Sequence, residues 1–169
     1  MTFDFSHCFP GYNVHKLSEA HLPAMFALCA GNPLYYEKCG TPLTLDSLRA
    51  DLSACPPNAE LNQKHFVGLW DGSQLVAMLD LIENWPEDGT VYIGWFILDA
   101  ARFGQGLGSR LIELLKTALA EQGAQKIRLA YVKDNPQSKR FWEKNQFQST
   151  GEERDMGNYQ AVLMEYRFL

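Results

Sequence analysis

Long apolar runs are missing from this 169-residue chain: none reaches the roughly 18 residues that a membrane-spanning helix needs. That argues against a membrane partner. Positive charge is short as well. The chain holds 15 Lys and Arg against 20 Asp and Glu, a formal net charge of −5. A nucleic-acid binder needs clustered cations to neutralise phosphates, so no nucleic-acid partner is expected. Cysteine is sparse and unpatterned. Cys8, Cys29, Cys39 and Cys55 form no Cys-x-x-Cys motif, and His7, His15, His21 and His65 are scattered. No metal site is therefore expected. His7 and Cys8 are adjacent near an end expected to be mobile, which makes neither a metal nor a nucleophile pair. The start, MTFDFSHCF, lacks a basic stretch followed by a long apolar run, so it does not read as a signal peptide. With unpaired thiols, this points to a reducing cytoplasm. Repeats, low-complexity runs and Gly/Ser linkers are absent too. One domain over residues 1–169 is expected, as a monomer or homodimer.

What is present is enough for a core: 46% of residues are hydrophobic and 12% aromatic. Residues 11–17 read as a short strand. Ser18 can cap a helix over 19–30, with Leu22, Met25, Phe26 and Cys29 on one face. Gly31-Asn32-Pro33 interrupts it. Thr44 opens a helix to Leu52, and Pro56-Pro57 closes that region. Residues 64–70 and 74–82 form a hairpin around Asp71-Gly72. A loop over 85–89 leads to VYIGWFIL at 91–98, apolar enough for a strand buried on both faces. Leu111, Ile112, Leu114, Leu115, Ala118 and Leu119 recur at helical spacing up to Gly123. A strand follows at 126–132. Pro136 suits the first turn of a helix to about Lys144, and the segments from Phe147 and over 158–168 form a closing antiparallel pair. This order predicts an α/β (α+β) fold with helices on the faces of a mixed sheet.

The chemistry-bearing stretch is VYIGWFILDAARFGQGLGSRLIELL. A buried strand ends near Leu98, and Gly104-Gln105-Gly106-Leu107-Gly108 leads into an amphipathic helix. Glycines let backbone N–H groups converge on an anion, and the helix N-terminus adds unpaired amides and partial positive charge. Together they suit a pyrophosphate. The dinucleotide fingerprint fits poorly, because Ser109 stands at its third glycine and the glycines lie well beyond the strand end. A Walker-type loop needs Gly-Lys-Ser/Thr, and Gly108-Ser109-Arg110 does not supply it.

The stretch resembles the acyl-CoA motif of the GNAT superfamily of N-acetyltransferases, Gln/Arg-x-x-Gly-x-Gly/Ala, whose end matches Gly106-Leu107-Gly108. A second motif of that family, Asn-x-x-Ala-x-x-aromatic-aromatic ending in a Gly-Phe-like pair, resembles Asn135-Pro136-Gln137-Ser138-Lys139-Arg140-Phe141-Trp142 with Gln146-Phe147. The resemblance covers residues 64–147. It implies a GNAT-like fold of about six to seven strands, splayed where acyl-CoA binds. It also implies acetyl-CoA as cosubstrate and an amine on a small molecule or peptide as acceptor. The implied acyl-CoA residues are Phe96, Ile97, Leu98, Phe103, Gly104, Gln105, Gly106, Leu107, Gly108, Ser109, Asn135, Ser138, Phe141 and Trp142.

Three positions depart from the family pattern. Phe103 replaces the Gln/Arg, with Arg102 one residue earlier. Trp142 stands where a Tyr often protonates the departing thiolate, and an indole cannot release such a proton. Tyr92 stands where many members carry a basic Glu. The expected mechanism is direct attack of the amine on the thioester in a ternary complex. Candidates for the base are Glu83 first, because it lies at the strand end beside Trp85, then Asp80 and Tyr92, with a water relay as a further route. Phe26, Tyr35 and Tyr36 either line an acceptor pocket or pack in the core. A non-catalytic acyl-CoA sensor is the alternative from another class, and a nicotinamide-dependent enzyme the third.

Overall fold

The computed structural model describes residues 2–169. Seven strands run in the order β1-β2-β3-β4-β5-β7-β6. They are β1 (Asn13–Lys16), β2 (Lys64–Asp71), β3 (Gln74–Glu83), β4 (Thr90–Leu98), β5 (Lys126–Val132), β6 (Gln148–Asp155) and β7 (Gln160–Arg167). Every neighbouring pair is antiparallel except β4 and β5. Between these two the chain crosses over through a helix, as a parallel pair requires.

The helices are α1 (Leu22–Ala30), α2 (Pro33–Cys39), α3 (Leu45–Asp51), α4 (Leu107–Glu121) and α5 (Pro136–Lys144). One sheet face packs α4 and α5 through Leu111, Ile112, Leu115, Leu119 and Trp142. The other packs α1 and α3 through Leu22, Met25, Cys29 and Leu48. Apolar residues on both faces let each strand of the sheet centre bury both sets of alternating side chains.

Three local differences from the sequence reading have clear causes. The predicted helix over 19–30 begins as a 3-10 turn, Glu19–His21, and becomes α-helical at Leu22 beside Pro23. Helix α2 lies where the sequence pattern shows only an interruption. Pro33 starts it, and Gly40, at φ 70°, ends it in the left-handed region. The N-terminus is tied down rather than mobile: Phe3, Phe5, Cys8 and Phe9 are buried in the α4-side core. Burial pushes the Cys8 thiol up to about 12, which leaves it without thiolate character at neutral pH.

Strand β4 is not buried on both faces along its length, because two irregularities shape it. Asp80 pairs with Trp95 but Leu81 pairs with Ile93, so Gly94 is an extra residue, a β-bulge. The bulge shifts the alternation by one. Val91 and Ile93 face α4 before it, and Phe96 and Leu98 face the same side after it. The second irregularity is the splay. β4 pairs with β5 only from Thr90↔Lys126 to Ile93↔Leu129. β5 stays paired with β7 as far as Val132, while β4 stays paired with β3 as far as Leu98. The sheet therefore opens between the C-terminal halves of β4 and β5.

Candidate active site

The opening presents backbone groups that no strand uses. Asp99 N–H donates to Val76 O at 2.8 Å, so peptide groups at Ile97 and Trp95 also turn toward β3. Alternation directs those of Phe96 and Leu98 into the opening. Leu98 O accepts from Asn32 Nδ2 at 3.0 Å. The N–H groups of Phe96 and Leu98 remain as donors facing the gap.

Helix α4 supplies a second set of donors. Its N-cap is Gly106, with no side-chain cap and no acidic residue in the first turn. The first-turn amides have no intrahelical acceptors and carry partial positive charge. Gly104 and Gly106 have φ of 77° and 76°, and a Cβ at either meets nothing within 4 Å. Backbone conformation, not crowding, is what glycine provides there. Gly108 acts differently. A Cβ on it would lie 3.1 Å from the Phe141 ring, so it lets α4 approach α5. The nearby Arg102 is engaged with Asp71 at 3.3 Å and Asp99 at 3.8 Å.

Helix α5 closes the other side. Asn135 Oδ1 caps it by accepting from Ser138 N–H at 3.2 Å. Phe141 stacks on Phe96, with ring centroids 5.9 Å apart, and Trp142 is buried against Phe96 and Phe147.

Three cavities adjoin one another in this region, sharing wall residues. One of about 240 Å³ lies between the end of β4, α4 and α5, with Leu34, Phe103 and Gly108 in its wall. One of about 260 Å³ fills the splay, bounded by Tyr92, Gly94, Phe96, Trp142, Arg154 and Tyr159. One of about 220 Å³ lies beneath α2 and α3, bounded by Tyr36, Ser47, Asp51, Asp80 and Trp95. Phe96, Asn135 and Trp142 border both the first and the second; Gly94, Trp95 and Tyr159 border both the second and the third. A larger depression of about 500 Å³ at Lys126, Arg128 and Glu165 is lined by charges paired with one another and is remote from both helix starts.

Residues 32–147 match the sequence model of the acetyltransferase (GNAT) family. The chain belongs to that family. As a GNAT enzyme it is an N-acetyltransferase that uses acetyl-CoA. The uncapped N-terminus of α4 and its two left-handed glycines fit a pyrophosphate.

Solved structures share the GNAT fold. An acetyltransferase from Thermus thermophilus aligns with a TM-score of 0.73 at 18% identity, covering 93% of this chain and 97% of that one. The acetyltransferase of Salmonella typhimurium that modifies the N-terminal serine of ribosomal protein L7/L12 also aligns at 0.73 and 18%, covering 96% and 98%. The PaiA N-acetyltransferase of Thermoplasma acidophilum, solved in complex with coenzyme A, aligns at 0.63 and 17%, covering 93% and 99%. No curated protein matches the chain in sequence. Among the described residues, no helix is long and apolar enough to cross a membrane.

Within this GNAT frame the three base candidates separate. Asp80 and Tyr92 border the adjoining cavities. Glu83 borders none of the three. One carboxylate oxygen of Glu83 accepts from Phe3 N–H at 2.7 Å and the other lies 3.4 Å from His65 Nε2. Strand alternation places it on the opposite face from Asp80. Tyr92 packs edge-on against Trp85 at 4.9 Å, and burial raises its hydroxyl pKa above the ordinary value.

Asp80 sits against the bulge: a Cβ on Gly94 would lie 3.2 Å from its Oδ2. Lys64 Nζ donates to the same oxygen at 2.7 Å, and the lysine is almost wholly buried. Burial raises the Asp80 pKa above the ordinary carboxylate range, against the opposing pull of Lys64. Asp51, at the end of α3, is pushed up to about 6, chiefly by burial and further by Asp80, with Lys64 opposing.

Asp51, Lys64, Trp95 and Asn32 carry no motif, and nothing in the sequence marks them as site residues. A raised carboxylate pKa favours the native state below the unfolded value and loses that advantage as pH rises through about 6. Asp51→Asn is therefore expected to raise the melting temperature relative to the parent at pH 7.5 and to leave it nearly unchanged at pH 4. Thermal unfolding at both pH values checks this.

Proposed function

We propose that this GNAT enzyme acetylates a primary amine by direct attack in a ternary complex. The observation that carries the reading is the row of adjoining cavities from the α4 N-terminus, through the β4–β5 splay, to the acid-lined cavity beneath α3. The α4 amides, with Gly104 to Ser109, take the pyrophosphate. Phe96 and Leu98 offer N–H groups to the pantetheine amides and to the carbonyl oxygen as it gains charge. The remaining wall positions, Ile97, Phe103, Asn135, Ser138, Phe141 and Trp142, shape the donor channel. The amine approaches at Gly94 and Trp95.

An alkylammonium has a pKa near ~10.4, so the site must remove a proton before attack. Asp80 is the base best supported by position. It lies beside the bulge, and burial makes its carboxylate more basic than an exposed one. The nitrogen then bonds to the acyl carbon, the C–S bond breaks, and the thiolate leaves to be protonated by solvent or the reacting ammonium. Tyr92 completes the wall, and Glu83 anchors the N-terminal segment.

Purified protein with acetyl-CoA and an amine panel should release free thiol only when an amine is present. Failure of every amine, with coenzyme A bound, would overturn the reading. Trp142→Phe should keep turnover within about tenfold of the parent. Removing a general acid typically costs ~10²–10⁴-fold, whereas a thiol with a pKa near ~8.5 leaves readily without one. A loss of that larger size would give Trp142 a direct part in the chemistry.

A further inference from the structure

The acid-lined cavity carries more information than its place in the row. Lys64 and Asp80 form a contact pair of opposite charge, 2.7 Å apart, and together are close to neutral. The Asp51 side chain borders the same cavity and has no ion-pair or hydrogen-bond contact among the described residues, Lys64 acting on it only at longer range. It belongs to α3, whereas Asp80 belongs to β3, so the two carboxylates stand on different walls. One negative charge is thus left over in a partly enclosed space of about 220 Å³.

The reacting nitrogen cannot compensate that charge, because it must be neutral when it attacks. Tyr36 and Trp95 line the same wall, and a cation placed over an aromatic face there would be attracted to it. A folded protein surface does not fit a cavity of this size, but a short alkyl chain does.

We infer that the acceptor is a small aliphatic diamine or similar dication, whose reacting nitrogen lies at Gly94 and Asp80 and whose second cation is held by Asp51. This rests on the acyl-transfer reading above and specifies its substrate class. Asp51 is then a specificity-determining residue. Its raised pKa is the cost of holding a carboxylate there when no cation is bound.

Three four-carbon acceptors differ at the far end, which is cationic, apolar or anionic: 1,4-diaminobutane, butylamine and 4-aminobutanoate. With acetyl-CoA and the full chain, kcat/KM should be highest for the diamine, lower for butylamine by about tenfold or more, and lowest for the amino acid. That ratio corresponds to one charge-assisted contact. Asp51→Asn should bring the diamine-to-butylamine ratio to near one, and Asp51→Glu should restore part of it. Melting temperatures and coenzyme A titrations of each variant confirm that fold and donor site are intact.

Equal rates for diamine and butylamine in the parent would overturn the inference while leaving acyl transfer standing. So would an undiminished ratio in Asp51→Asn, or acetylation confined to peptide N-termini. Absence of thiol release with every amine would overturn both readings together.

Discussion

Gly106→Asp is expected to abolish coenzyme A binding while the protein stays folded. Calorimetric titration of the parent should give a measurable Kd, and the variant should bind at least ~100-fold more weakly, equivalent to ~2.7 kcal/mol. Two effects act in the same direction. The new carboxylate stands at the N-cap of α4, where the chain has no capping side chain and no first-turn acid. There it repels a diphosphate and competes for the helix amides that the phosphate would use.

Folding should survive. A Cβ at this position meets nothing within 4 Å, and aspartate tolerates left-handed φ better than most residues. Gly106→Asn supplies the same shape without the charge and should bind with intermediate affinity. Gly108→Asp is a poorer test, because it collides with the Phe141 ring and disturbs α4–α5 packing. A Gly106→Asp Kd within threefold of the parent would place the pyrophosphate elsewhere.

Asp80→Asn is expected to lower kcat/KM by about 10²–10⁴ at neutral pH, the usual contribution of a positioned base. Its pH profile should separate loss of a base from loss of structure. In the parent, activity falls on the acid side as Asp80 takes up a proton, at a pH above the ordinary carboxylate range because burial raises its pKa. In the variant that limb disappears, and activity recovers only as high pH deprotonates the amine in solution. Removing Asp80 takes away the contact partner of the buried Lys64 and leaves only the non-contacting Asp51 to offset its charge, a loss that costs up to ~3–5 kcal/mol. The double variant Lys64→Met/Asp80→Asn removes that stray charge. It should regain stability without regaining activity. Near-parental turnover and an unaltered acid limb in Asp80→Asn would remove Asp80 from the mechanism and leave Tyr92 or a water relay.

The parts of the fold that are legible in the sequence are those where local pattern and tertiary demand agree. Strand β5 and helix α5 begin and end where the apolar pattern and Pro136 place them, and the glycine run reads correctly as a helix start because left-handed φ leaves a compositional mark. Helix α2 escapes a sequence reading because it spans only seven residues from Pro33 to its end, too few for a period to show. The acid-lined cavity escapes it for another reason. Asp51, Lys64 and Asp80 are distant in sequence and meet only after β2, β3 and α3 pack. Glu83 attracts attention as a carboxylate at a strand end, but alternation is a property of the paired sheet. Which face it takes depends on neighbours that a single strand does not reveal. Strand β4 reads as uniformly buried because a bulge at Gly94 leaves no signature in a run of apolar letters.

That bulge makes β4 a strand with two separable duties. Residues on its N-terminal side are clamped between β3 and β5 and hold the sheet together; those on its C-terminal side lean on β3 alone and leave their outer edge open. The extra residue breaks the phase between the halves, so a change in one does not dictate the side-chain directions in the other. Variation after Gly94 can therefore retune which donor and acceptor the enzyme takes without loosening the sheet, whereas straightening the bulge so that Gly94 pairs with Asp80 would turn Phe96 and Leu98 toward α1 and close the channel from within. The strand is modular at a single residue, and an engineer seeking new acceptors should work on its far half and leave the joint alone.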